Sequence, residues 1–176
     1  MNGRVWVGVD PGRRGAIAMI RDAWPIAWPS ESRAEIVAWP TPMLDAKHYD
    51  LDAIGDWFRE WAPRIALVTV EMLHPMPPKF RGGAANFGRG ESRGWFWMLT
   101  ALGIPFLPVV PQTWQRVMHV GAKGDDTKAR SIETALRIFP GVSLLPSARA
   151  RKLSDGMADA LCIAQYGRQT QRGTGA

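Results

Sequence analysis

The first strong pattern along the chain is RVWVGVD (4–10), in which Val5, Val7 and Val9 are separated by short or apolar residues. That pattern predicts a strand buried on both faces. PGRRG follows as turn chemistry and AIAMI (16–20) as a second apolar run, so the two predict a hairpin. Prolines punctuate the stretch from Trp24 to Pro42, within which EIVAW (35–39) is the best third strand. DLDAIGDWFREWAPR then changes the period. Asp50 stands where an N-cap belongs, Leu51, Ile54, Trp57, Phe58 and Trp61 fall at helical spacing, and Pro63 closes the segment.

IALVTVE (65–71) is a continuous apolar strand that ends in a carboxylate. The next segment, MLHPMPPKFRGGAANFGRGE (72–91), reads as a long loop rich in Pro, Gly and basic residues, and loops of that length in compact domains usually carry function. Trp95, Met98, Leu99 and Leu102 mark a helix capped by Gly103, ahead of the strand PFLPVV (105–110). PQTWQRVM predicts a short helix with Pro111 near its start, and TKARSIETALRIFPG a longer one with Ile132, Leu136 and Phe139 on one face. The last helix lies in LSDGMADALCIAQYG (153–167), and the tail after Gly167 is expected to fray. One domain over 1–167 with a flexible tail over 168–176 is the simplest organisation.

Composition narrows the class. Apolar residues make up 46% of the 176, too many for a disordered chain, and the formal charge is +6 with nine Trp. A basic, Trp-rich chain tilts toward nucleic acid as partner. The single Cys162 excludes an intramolecular disulfide framework and a CxxC metal site. No stretch reads as a signal peptide or approaches the length of a membrane span, so a soluble, cytoplasmic protein is expected.

Carboxylates stand at unusual places. Asp10 and Glu71 end two apolar strands, and in α/β sheets ligands bind beyond the carboxyl ends of strands. Asp155 and Asp159 lie one turn apart, about 40° around the last helix, where the surrounding residues are apolar. Singly, Asp10 reads as a turn former, Glu71 equally well as a solvent-facing acid, and Asp155 as a favourable first-turn acid behind a Ser154 cap. Asp159 is asked for by neither propensity nor dipole. Four converging acids repel one another unless a hard divalent cation compensates them, and Mg²⁺ prefers carboxylate and water oxygens.

With these residues in view, VGVDPGRRGAIAMI, ALVTVEMLHPMP and DGMADALCIA resemble the three acidic motifs of the RuvC-type Holliday junction resolvases. NFGRGESRGWFWMLTALGIPFLPVVPQTW is similar to the central part of phage or prophage members. The resemblance implies an α/β, ribonuclease H-like fold with a mixed five-stranded sheet flanked by helices. It further implies two Mg²⁺ ions, with Mn²⁺ as a substitute, held by Asp10, Glu71, Asp155 and Asp159. The family's second helical acid usually lies three residues before the first, where this chain has Gly156; Asp155 lies four before. Lys128 resembles a basic residue used near the scissile phosphate, and Arg116 is the candidate for a second.

The implied reaction is two-metal phosphodiester hydrolysis at four-way or other branched DNA, leaving a 5′ phosphate and a 3′ hydroxyl. Lys79, Arg81, Arg89 and Arg93 are candidates for backbone phosphates, and Phe80 and Phe87 either stack on an unpaired base or anchor the loop. The resemblance implies a C2 homodimer for paired nicks, with the helix from about Asn86 to Leu102 as a candidate face, its Trp95 and Trp97 being either exposed there or equally well core. His74, at a position aromatic in some members, has no assigned role. Two readings of other classes stay open: an actin-like or sugar-kinase ATP-binding domain, and an inert module that binds branched DNA. Within the nucleases, a ribonuclease H or transposase-like enzyme is a further alternative.

Overall fold

A computed structural model describes residues 3–22, 35–72 and 83–173, with the side chains of 83–91 outside the description. Strands β1 (Val5–Asp10), β2 (Ala16–Arg21), β3 (Glu35–Pro40), β4 (Ile65–Glu71) and β5 (Phe106–Val109) form one sheet in the order β3-β2-β1-β4-β5. β2 runs antiparallel to its neighbours β1 and β3, and β4 and β5 run parallel to β1. The sheet is therefore mixed, as expected. Helices α1 (Leu51–Trp61), α2 (Gly83–Ala101), α3 (Pro111–Met118), α4 (Thr127–Ile138) and α5 (Asp155–Gly173) cover it.

The period of two along the strands sorts the core into two layers. Val5, Val7, Val9, Val68 and Val70 pack with Ile54 and Phe58 of α1 and Trp95 and Leu99 of α2. Ala16, Ala18 and Ile20 pack on the opposite side, with Trp114 of α3, Ala135 of α4 and the buried run Met157–Ala164 of α5. Asp10 and Glu71 are out of phase with the valines. They consequently face α5 rather than α1, at the carboxyl ends of adjacent parallel strands whose last paired residues are Val9 and Val70.

Glycine seats α5 directly on that face. A Cβ on Gly8 would lie 2.0 Å from the carbonyl oxygen of Ala160, and one on Gly167 would lie 1.9 Å from Oγ1 of Thr69. Both contacts require the absence of a side chain. α1 begins as the pattern predicts, with the Asp50 carboxylate accepting from Ala53 N–H at 2.9 Å. α2 ends at Ala101 and the chain turns at Gly103, whose φ of +64° is the left-handed conformation.

Three expectations change. Residues 83–91 lie in α2 and not in a loop, so Phe87 and Arg89 are helical positions; Lys79, Phe80, Arg81 and His74 lie outside the described residues. The buried face of α4 is Ser131, Thr134 and Ala135, whereas Leu136 is 38% exposed. Its sheet-side stripe is thus partly polar, which an apolar-periodicity reading cannot see. Finally, α5 continues beyond Gly167 to Gly173. Arg168 and Arg172 both pair with Asp22, and Trp6 Nε1–H donates to Gln171 Oε1 at 2.7 Å. These contacts hold what the sequence alone treats as a fraying tail.

Candidate metal-dependent active site

The site lies where β1, β4, α4 and α5 meet. The turn after Asp10 is closed by Gly15 N–H on Gly12 O at 3.0 Å, and Gly12 N–H donates to the Tyr49 hydroxyl at 3.0 Å. Gly15 is required by space: its Cβ would stand 2.0 Å from the Asp10 carbonyl oxygen. The Asp10 carboxylate points across to the start of α5, with Oδ2 3.2 Å from where a Cβ on Gly156 would be.

Glu71 is only 7% exposed, so it is not the solvent-facing acid that its strand-end position also allowed. Trp114 Nε1–H donates to its Oε1 at 2.9 Å, Ser92 Oγ of α2 donates to its backbone carbonyl at 3.1 Å, and Met72 N–H donates to Val109 O at 2.8 Å. Carboxylate, carbonyl and following peptide are each fixed by a different element.

On α5, Ser154 caps the helix by accepting from Met157 N–H at 3.2 Å. Asp155 opens the helix and pairs with Lys128 Nζ of α4 at 2.5 Å. Asp159, one turn on, faces the Ser131 hydroxyl of α4, while its Oδ1 is buried without a hydrogen-bond partner.

Electrostatics follow from this placement. Burial, then the charges of Glu71, Asp159 and Asp155, push the Asp10 carboxyl well above the usual range. Burial raises Glu71 against the opposing Trp114 hydrogen bond. Asp159 is pushed up to about 7, chiefly by burial, although the Ser131 hydroxyl favours its charged form. At Asp155 burial is outweighed by Lys128, first through their hydrogen bond, and its carboxyl is lowered; Lys128 is raised in return. The Lys128 side chain is 69% exposed, so it offsets only part of the charge.

The donor set fits a hard divalent cation. Mutually destabilised carboxylates and a buried, unpartnered carboxylate oxygen are the conflict that such an ion resolves. Among the described residues, no three acidic, His or Cys side chains are already gathered as the ligand set of one ion. The Lys128–Asp155 pair meanwhile holds one of the four acids.

Asp10, Glu71, Asp155, Asp159 and Lys128 are thus brought together. Arg93 is exposed on α2 beside Ser92, and Arg116 is exposed on α3 two residues beyond Trp114. Trp95 is buried in the core and belongs to no surface, whereas Trp97 is 77% exposed. Sequence reasoning missed Trp114, Ser131 and Gly156. An Asp at 156 would not fit this backbone, since even a Cβ there meets the Arg14 carbonyl oxygen at 2.2 Å. The acid stands instead at Asp155, on the open side of the same turn.

No protein-family model and no curated protein matches the sequence. Solved structures do. Thermus thermophilus RuvC is 20% identical, with a TM-score of 0.58 over 97% of this chain and 96% of that one. T. thermophilus RuvC in complex with a Holliday junction substrate is 18% identical, with a TM-score of 0.55 over 96% of both chains. The chain has the fold of RuvC. That fold is ribonuclease H-like, so the expected architecture stands, with the RuvC sheet and its flanking helices spanning nearly the whole chain. Among the described residues, no helix is long and apolar enough to cross a membrane.

Proposed function

We propose that the chain is a structure-selective DNA endonuclease that resolves four-way junctions by paired nicks, with Asp10, Glu71, Asp155 and Asp159 as the acids of the catalytic centre. The observation that carries this reading is the convergence of acids from two strand ends and one buried helix, with Asp159 Oδ1 unpartnered, on the RuvC fold. A solved structure that shares the fold holds a Holliday junction substrate, which favours branched DNA over other polyanions.

Two Mg²⁺ ions held by the four acids, replaceable by Mn²⁺, would activate the attacking water and offset charge on the leaving 3′ oxygen. The chain's own contributions are positional. Trp114 and the peptide bonds around Glu71 keep that carboxylate aimed at Asp10, and α5 presents its two acids one turn apart. Lys128, on an exposed stem beside Asp155, is placed to leave that partner for a phosphate oxygen and neutralise charge as the phosphodiester breaks. Arg93, Arg116 and the positions Lys79, Phe80, Arg81, Phe87 and Arg89 are proposed to engage DNA, and a C2 homodimer would supply two symmetric cuts.

The deciding experiment compares an immobile-arm four-way junction with linear duplex in Mg²⁺, using wild type and Asp10→Asn. Paired nicks near the branch point, lost in Asp10→Asn while junction binding survives, are expected. Binding without cleavage of any branched DNA or hybrid in Mg²⁺ or Mn²⁺ refutes the nuclease reading and leaves a binding module. Saturable ATP binding in place of DNA binding would favour the ATP-binding alternative.

A further inference from the structure

Behind the acids and Trp114 lies a side chain, His119, that no part of the proposed chemistry has used. His119 follows α3 as its C-cap residue, with its backbone N–H on Gln115 O at 2.9 Å. Its imidazole Nε2 is 3.0 Å from Ser131 Oγ, and Ser131 is fully buried. The same ring packs edge-on against Trp114, with centroids 5.3 Å apart at 84°. The Ser131 hydroxyl faces Asp159 and favours its charged form, and Trp114 donates to Glu71. One side chain therefore touches the supports of two buried carboxylates that come from different elements.

We propose that His119 is a positioning residue, orienting the Ser131 hydroxyl toward Asp159 and bracing Trp114 against Glu71. The inference rests on the reading of Asp159 and Glu71 as acids of the centre.

Proton bookkeeping gives the relay a direction. Ser131 has one hydroxyl proton, and either His119 or Asp159 receives it. A carboxylate can only accept, so Ser131 supports ionised Asp159 when its proton points there. His119 must then present N–H at Nε2 and donate to Ser131 Oγ. Burial, and next the neighbouring Arg130, hold this imidazole below its ordinary range. It is accordingly neutral at neutral pH, with a single N–H whose location decides the relay. The opposite tautomer would draw the Ser131 proton away from Asp159. Outer-layer partners of this kind typically tune metal affinity or activity by about 10- to 100-fold.

The test has an arm independent of catalysis. Long-range ¹H–¹⁵N spectra of the metal-free protein at about pH 9, where Asp159 is ionised, with the His119 signals assigned by their loss in His119→Gln, are expected to show the Nε2–H tautomer. The Nδ1–H tautomer would overturn the proposal. Calorimetric titration with Mn²⁺ alone, and junction cleavage split into kcat and junction affinity, form the second arm. His119→Phe keeps the edge-on ring but loses the donor, and is expected to weaken Mn²⁺ binding and lower kcat about tenfold or more, with junction affinity unchanged. His119→Gln restores an N–H donor and is expected to recover most of both. Wild-type Mn²⁺ affinity and kcat in His119→Phe, or a loss in His119→Gln as deep as in His119→Phe, would overturn the assignment. Should His119→Phe fail to fold, Ser131→Ala takes its place with the same readouts and the same criteria. A wild type that neither binds Mn²⁺ nor cleaves refutes the nuclease reading, and the tautomer then still decides the relay on its own.

Discussion

Gly8→Ala tests the seat of α5 most directly. The added Cβ would stand 2.0 Å from Ala160 O, 2.4 Å from Ala164 N and 3.0 Å from Ala164 Cα, all backbone atoms of a buried helix. No side-chain rotation relieves such contacts. Reaching even 3.0 Å from Ala160 O moves strand and helix apart by about 1 Å. Overpacking of this kind costs about 1–3 kcal/mol of folding free energy. Ala160 is the neighbour of Asp159, so the same shift carries that carboxylate away from Asp10 and Glu71. A 1 Å misplacement of catalytic groups can cost about 100-fold in rate. Urea unfolding with Mg²⁺-dependent junction nicking, normalised to the folded fraction, measures both effects. Gly94→Ala is the control, because nothing lies within 4 Å of its Cβ and alanine in that helix should stabilise by about 0.5–1 kcal/mol. A Gly8→Ala protein with wild-type unfolding midpoint and nicking rate would refute the reasoning.

Metal-free stability should fall as pH rises from about 4 to about 8. Asp159 is pushed up to about 7 in the folded chain from the ordinary 3.8 of an exposed Asp, so the folded state binds more protons between those values, and a single group of this kind removes roughly 4 kcal/mol across the window. Asp10 and Glu71, also raised, act in the same sense; Asp155, lowered, acts oppositely. Asp159→Asn should flatten the profile and abolish nicking, as read by urea unfolding in chelator, and a wild-type profile that climbs through this window would contradict the assignment. Trp114→Phe removes the donor to buried Glu71 and should cost about 1–3 kcal/mol with a fall in kcat; an unchanged unfolding midpoint would show the bond to be idle. Arg93→Ala and Arg116→Ala should each weaken junction binding and lower the slope of its salt dependence by about 1, read by fluorescence anisotropy across a salt series; unchanged slopes would remove these residues from the interface.

The two strand-end acids and the helical pair were legible from the chain because each breaks a strong local pattern. Asp10 and Glu71 close apolar runs, and Asp159 interrupts a segment apolar on every side. Their common face was not legible: it depends on strand register, which pairs Val9 with Val70. The supports were hidden for a different reason. Ser131 and Thr134 are polar residues on the buried side of α4, and Trp114 looks like any core aromatic until its Nε1–H must find an acceptor. Apolar periodicity cannot report a face built around hydrogen bonds. Nor could the sequence report why glycine stands at 156, which is a close approach to the Arg14 carbonyl.

The docking of α5 on β1 also dictates when activity can exist during synthesis. About 150 residues separate Asp10 from Asp159, and the hairpin, β4 and β5 can all pair before α5 is made. At about 5–20 residues per second, a ribosome adds the last acid roughly 7–30 s after the first. A nascent chain over that interval carries Asp10 and Glu71 without the helix that completes their surroundings. The proposed nuclease is thus inert until α5 has been made, and proteolytic loss of that one helix would disarm it at a stroke.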